Sequence, residues 1–82
     1  MIISEQLRAA RGLVGWSQSA LAKASGLALS TIKRMEGDRG PLRSSAENVL
    51  KVQQALENAG VAFIDEGDEL GPGVRLRKAE KG

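Results

Sequence analysis

The chain of 82 residues has no cysteine, no histidine and no tyrosine, and it carries a single Trp and a single Phe. Without cysteine there are no disulfides and no thiolate chemistry, and a reducing compartment is compatible with the composition. Without histidine as well, the usual zinc ligands and the one side chain that titrates near neutrality are gone. The scarcity of aromatics, with Ala, Leu, Val and Ile supplying the apolar content, suits a compact helical bundle better than a sandwich. Long hydrophobic runs are missing too. No stretch approaches the roughly 18–20 apolar residues of a membrane span. The start MIISEQLRAARG has neither a basic n-region nor an apolar h-region. A soluble, unexported, cytoplasmic protein is therefore expected.

What is present is unevenly distributed charge around one small core. A domain of this size buries only roughly 60–65% of its unfolded surface, so a single core must organise everything. The net charge is +2, but residues 1–43 carry seven Lys and Arg against three Asp and Glu, residues 44–73 one against six, and residues 74–82 four against one. Two basic regions flank an acidic one, which points to a polyanionic partner if a motif supports it.

The apolar spacing gives four helices. A first is expected from about Ser4, as N-cap, to Leu13, with Ile3, Leu7, Ala10 and Val14 along one face and Gly12 and Gly15 weakening its end. A second starts at Ser17, where Trp16 and Leu21 are placed to close a hydrophobic staple. The periodicity then runs on through Leu21, Ala24, Ala28, Ile32 and Met35, across Gly26. A glycine there suits a chain leaving a helix with positive φ, so the stretch divides into two short helices sharing one core, with Leu27 beneath the turn. Two helices crossing over a short turn containing Gly form a helix-turn-helix unit. A fourth helix opens at Ser44-Ser45-Ala46-Glu47, read as a capping box, and ends at Gly60, with Ala46, Val49, Leu50 and Leu56 facing inward and Gln53 interrupting the stripe.

From Leu7 to Pro41, and especially at Ser17-Gln18, Leu21-Ala22, Gly26-Leu27, Ser30-Thr31-Ile32 and Arg34-Met35-Glu36, the sequence resembles the Xre/Cro-type helix-turn-helix family that includes lambdoid phage repressors. The resemblance covers roughly residues 4 to 60. It implies a lambda-repressor-like helical domain, a bacterial or phage origin, and a structural ion pair between Arg11 and Glu36. It also implies that Gln18, and Arg39 and Arg43 after the recognition helix, contact the DNA backbone. The sequence departs from the family pattern at Ala20, where many members carry a glutamate, and at Ala28, where a Ser or Thr usually caps the recognition helix. That helix therefore starts either at Leu29, weakly capped, or at a Ser30 cap about two residues shorter.

With Ile32 and Met35 inward, Leu29, Ser30, Lys33 and Arg34 are left to face outward, with Thr31 at the boundary. Helices of this kind insert their N-terminal half into the major groove. Arg34 offers a bidentate contact to guanine, Ser30 a hydroxyl, and Leu29 an apolar contact to a thymine methyl. Thr31 and Lys33 join the phosphate-contacting set, which governs affinity and salt dependence and not sequence.

Val61–Asp65 and Val74–Arg77 read as the strands of a β-hairpin around an acidic, Gly-rich connection. The carboxylates Asp65, Glu66, Asp68 and Glu69 lack the ligand spacing of a calcium loop. An isolated hairpin is marginal in water, so this one packs on the bundle, pairs with a copy or binds a partner. We expect the face made by Val61, Phe63, Val74 and Leu76 to support dimerisation.

The expected architecture is mainly α: a four-helix helix-turn-helix domain at 1–60, a hairpin extension for dimerisation at 61–78 and a flexible tail at 79–82. The expected function is a sequence-specific transcriptional regulator that binds a pseudo-palindromic operator in double-stranded DNA as a homodimer, nucleoid-associated and not at a membrane. No metal and no cofactor is called for. The alternative is an antitoxin-type interaction module with a small protein partner, whose DNA binding is autoregulatory. An enzyme is disfavoured by the lack of His, Cys and Tyr, of a phosphate-binding loop and of volume for a pocket.

Overall fold

A computed structural model describes residues 2–38, 40–41 and 44–78. Four helices, α1 (Ser4–Val14), α2 (Gln18–Ser25), α3 (Leu29–Met35) and α4 (Ala46–Asn58), are followed by two strands, β1 (Val61–Ile64) and β2 (Gly73–Leu76). The chain is mainly helical with a C-terminal antiparallel hairpin. Among the described residues no helix is long and apolar enough to cross a membrane. The proposed tail at 79–82 lies outside the described residues, as do Arg39 and Arg43.

The same device ends α1 and α2. Gly15 and Gly26 adopt left-handed conformations, at φ 70° and φ 73°. In each case the residue after the glycine donates its N–H five residues back, Trp16 to the Arg11 carbonyl at 3.0 Å and Leu27 to the Ala22 carbonyl at 3.1 Å. These bonds satisfy carbonyls that a helix end leaves orphaned, and only glycine reaches that φ without a steric cost. Each reversal delivers an apolar side chain, Trp16 or Leu27, onto the core.

Helix starts differ from expectation in two places. Ser17 caps α2, accepting the Ala20 N–H at 3.0 Å. At α1, however, the cap position is Ile3, and Ser4 is the first helical residue, buried at 8% exposure. The Gln6 side chain supplies the missing partner by accepting the Ile3 N–H at 2.8 Å. This shift puts Ile2 in the core at 5% exposure and leaves Ile3 outside at 38%. At α4 the cap is Ser45, which accepts the Asn48 N–H at 3.2 Å. The expected box from Ser44 to Glu47 is thus one residue out of register, and the buried stripe is Val49, Val52, Ala55 and Leu56, while Leu50 stands 53% exposed. Glu47 pairs instead with Lys51 along the helix, at 3.8 Å.

Leu7, Leu21, Ile32, Met35, Val52, Leu56 and Val61 are the largest fully buried side chains, so every helix and the hairpin contribute to one core. Burial of each stabilises the fold by about 1.5–3 kcal/mol relative to exposure. The hairpin is registered Val61 to Leu76 and Phe63 to Val74. Its apolar face is turned onto its own bundle: Val61 is 1% exposed, and Phe63 and Val74 pack against the core. Of the face expected to support dimerisation, Val61, Phe63 and Val74 are thus engaged with the chain's own bundle. Phe63 and Val74 are half-buried there, and Leu76 is 51% exposed.

Candidate nucleic-acid interface

α3 is short, and its seven residues divide by face. Ile32 and Met35 have no exposure, Thr31 is half-buried, and Leu29, Ser30, Lys33 and Arg34 are exposed, Leu29 at 37%. The helix begins at Leu29, with Ala28 in the cap position and no side chain accepting from its first turn. The Thr31 and Ile32 N–H groups donate to the Ala28 carbonyl at 3.0 and 3.3 Å. Of the two starts left open by the sequence, this is the longer helix, and it keeps Leu29 and Ser30 on the outward face. Arg34 Nη2 donates to Thr31 Oγ1 at 3.4 Å, a weak contact that leaves the guanidinium in solvent.

Beneath that face sits a buried charge network. Glu36, 5% exposed, closes α3 and receives two parallel hydrogen bonds from Arg11, Nε to Oε2 at 2.7 Å and Nη2 to Oε1 at 2.8 Å. Hydrogen bonding to Glu36 raises the Arg11 pKa above its ordinary value, and the ion-pair attraction adds to this against the opposing effect of burial. Arg11 Nη1 also donates to the Trp16 carbonyl at 3.0 Å, tying α1 to the entry of α2. Gln18, at the first turn of α2, donates Nε2 to Glu36 Oε1 at 3.3 Å. Three helices are therefore locked at one carboxylate.

Two further polar anchors, one of them at Glu36, were not singled out in the sequence. Arg8 donates Nη1 to the Glu36 backbone carbonyl. Its position three residues before Arg11 on one helix face was the available signal. Gln6, at 3% exposure, bonds the Ile64 and Gly73 carbonyls through Nε2 at 3.2 and 2.9 Å, pinning the hairpin to α1. A Gln three residues after a cap position was the signal there.

The electrostatic result is one-sided. From residue 6 to residue 37 the only acidic side chain is Glu36, and it is buried beneath Arg11, while Lys23, Lys33 and Arg34 are exposed. Anionic backbone approaching α2 and α3 meets cations and hydrogen-bond donors with no exposed carboxylate in that span.

No curated protein matches the chain. Residues 7–58, more than half of its length, match the family model described as Helix-turn-helix. The matched segment runs from α1 to the last turn of α4 and contains both the α2–α3 turn and the Glu36 network. The chain belongs to this Cro/C1-type, Xre-like helix-turn-helix family of DNA-binding regulators.

Proposed function

We propose that the chain reads a pseudo-palindromic operator as a homodimer and thereby regulates transcription in the cytoplasm, associated with the nucleoid. The observation that carries this reading is the outward face of α3. Its apolar side is consumed by Ile32 and Met35, its carboxylate neighbour is neutralised by Arg11, and Leu29, Ser30 and Arg34 remain uncovered. Laid in the major groove, Arg34 contacts guanine O6 and N7, Ser30 a base edge, and Leu29 a thymine methyl. Thr31 and Lys33 contact phosphate beside them. Gln18 uses its second Nε2 hydrogen for a phosphate while the first is held by Glu36. Arg39 and Arg43 follow the recognition helix in sequence and are assigned to the backbone by family resemblance. One short helix reads few base pairs, so two copies are needed for a useful specificity ratio.

Selection of binding sites from random double-stranded DNA tests this reading. The expected consensus is a pair of inverted half-sites about one helical turn apart, roughly 10 bp centre to centre. Recovery of no consensus overturns sequence-specific reading.

A second reading, an antitoxin-type module, is favoured by one feature. Ile2, Ala46, Val49, Leu50 and Gln53 line a shallow apolar groove outside the DNA-reading face, and Leu50 is 53% exposed there. Co-purification of a stoichiometric small protein, lost on Leu50→Glu, supports it.

A further inference from the structure

We infer that Arg8 is a positioning residue for sequence reading: by holding the Glu36 carbonyl it fixes the far end of α3, and with it the reach of Arg34. The inference rests on the proposal above that Arg34 contacts a base, and it adds a residue of α1 that itself touches no DNA.

α3 is the helix least able to hold its own place. It has seven residues, fewer than an isolated helix needs to persist in water. Ala28 in its cap position offers no side chain to the first turn, and Glu36 closes it in a right-handed conformation, at φ −89°, without the left-handed glycine that ends α1 and α2. Among the described residues it packs chiefly against α2. The α2–α3 turn anchors its start through the Leu27 N–H, which donates to the Ala22 carbonyl at 3.1 Å. Its other end is held from α1, at one residue and by two arginines one turn apart. Arg11 donates to the Glu36 carboxylate and Arg8 to the Glu36 backbone carbonyl.

The direction in which Arg8 points supports this role. A carboxylate is available one turn earlier on the same helix, at Glu5, and a pair at that spacing is a favourable surface contact. Among the described residues Arg8 makes no ion pair, and its guanidinium turns instead to the carbonyl that ends α3. A cation there also suits the negative end of the helix dipole. Two holds on one residue fix more than one does. The Arg11 pair acts on a side chain whose torsions leave the Glu36 backbone free to turn, whereas the Arg8 bond is to the backbone itself. A rotation of about 10° about the α2–α3 turn would carry the far end of α3, about 10 Å away, through roughly 2 Å. A bidentate contact at hydrogen-bonding distance does not survive a shift of that size. Arg34 precedes the last residue of the helix and takes nearly the whole displacement, while Leu29 and Ser30 beside the turn take little.

Binding titrations of the full chain on the selected operator and on a scrambled duplex, each across a salt series, test the inference. Arg8→Met keeps the stem and removes the donor. It should weaken operator binding about 10-fold and scrambled binding less than about threefold, and leave the salt slope as in wild type. Arg8→Lys keeps a charged donor and should restore operator binding to within about threefold of wild type. In an Arg34→Ala background Arg8→Met should cost less than about twofold, because its effect passes through Arg34. Arg8→Gln takes the place of Arg8→Met if the latter lacks native helicity by circular dichroism. Equal losses on both duplexes, with a salt slope reduced by about one, put Arg8 on a phosphate and overturn the inference. An Arg8→Met loss that persists undiminished in the Arg34→Ala background overturns it too. A wild type that does not distinguish the two duplexes overturns the base-reading proposal and this inference with it. A wild type that does distinguish them, matched by Arg8→Met, overturns this inference alone.

Discussion

Arg11 holds Glu36 through two parallel hydrogen bonds of 2.7 and 2.8 Å, joining the last turn of the first helix to the end of the recognition helix. Glu36 is buried and Arg11 only partly so, which makes the guanidinium the carboxylate's substitute for water. Because the same carboxylate receives Gln18, the pair sets where the third helix ends and how the Gln18 amide is held at the start of the second.

Removing one partner strands the other. Arg11→Ala is expected to destabilise the fold by about 3 kcal/mol, since breaking a buried pair leaves an uncompensated charge. In a domain of this size that is roughly 12–24 °C in Tm. Arg11→Met combined with Glu36→Leu should recover more than half of the loss, because neither charge is then buried alone. The raised Arg11 pKa contributes stability that is fully present below the arginine range and lost only as pH rises through it. Arg11 titration should therefore add no pH dependence to the melts near neutrality.

Gly12 and Gly26 are expected to respond with opposite signs. A Cβ at either position meets nothing within 4 Å, so packing does not separate them. Backbone conformation does: Gly26 has φ 73°, whereas Gly12 lies inside a helix with no positive φ. Gly26→Ala should cost about 1 kcal/mol and Gly26→Val more. Gly12→Ala should add about 0.5–1 kcal/mol of stability. Thermal melts of the single variants check both signs, and equal effects would contradict the conformational account.

Those two glycines also show what could be read in advance. Gly26 was legible because a helical apolar period passes through a residue that ends helices, and Ser17 because a staple pair brackets it. At Ser44-Ser45 local chemistry allowed two registers, and tertiary burial of Val52 and Ala55 chose the one that exposes Leu50. At Ile2-Ile3 either residue suits the core equally by composition, and the choice goes with a contact that spans 58 residues, where Gln6 meets Ile64. The outward face of the recognition helix followed from the inward one. The fate of the hairpin face did not, because alternation shows that Val61, Phe63, Val74 and Leu76 share a side without showing what covers it.

Gln6 offers a test of that long-range choice. Its Oε1 accepts from Ile3 and its Nε2 donates to Ile64 and Gly73, and it is 3% exposed. Gln6→Ala should destabilise by about 2 kcal/mol by leaving buried backbone groups underbonded. Gln6→Glu should cost more, since a carboxylate would face two carbonyl oxygens without a donor. Amide hydrogen exchange is expected to accelerate in both strands and at Ile3 ahead of the α2–α3 turn. Uniform acceleration across all helices would mean that Gln6 supports the whole core and not the hairpin's attachment.

The division between reading and holding on α3 is testable in a single pair of substitutions. Arg34 and Lys33 are adjacent, exposed and equally charged, so electrostatics alone would make their losses alike. Arg34 is assigned to a base edge, where its planar fork matches guanine, and Arg34→Ala should cost about 1–3 kcal/mol on the selected operator while changing nonspecific binding much less. Lys33 is assigned to phosphate, and Lys33→Ala should weaken all sequences alike and reduce the slope of log affinity against log salt by about one. Binding titrations on the operator and on a scrambled duplex, each across a salt series, separate the two. If Arg34→Ala lowers affinity equally on both duplexes, the residue touches the backbone, and base recognition falls to Leu29 and Ser30.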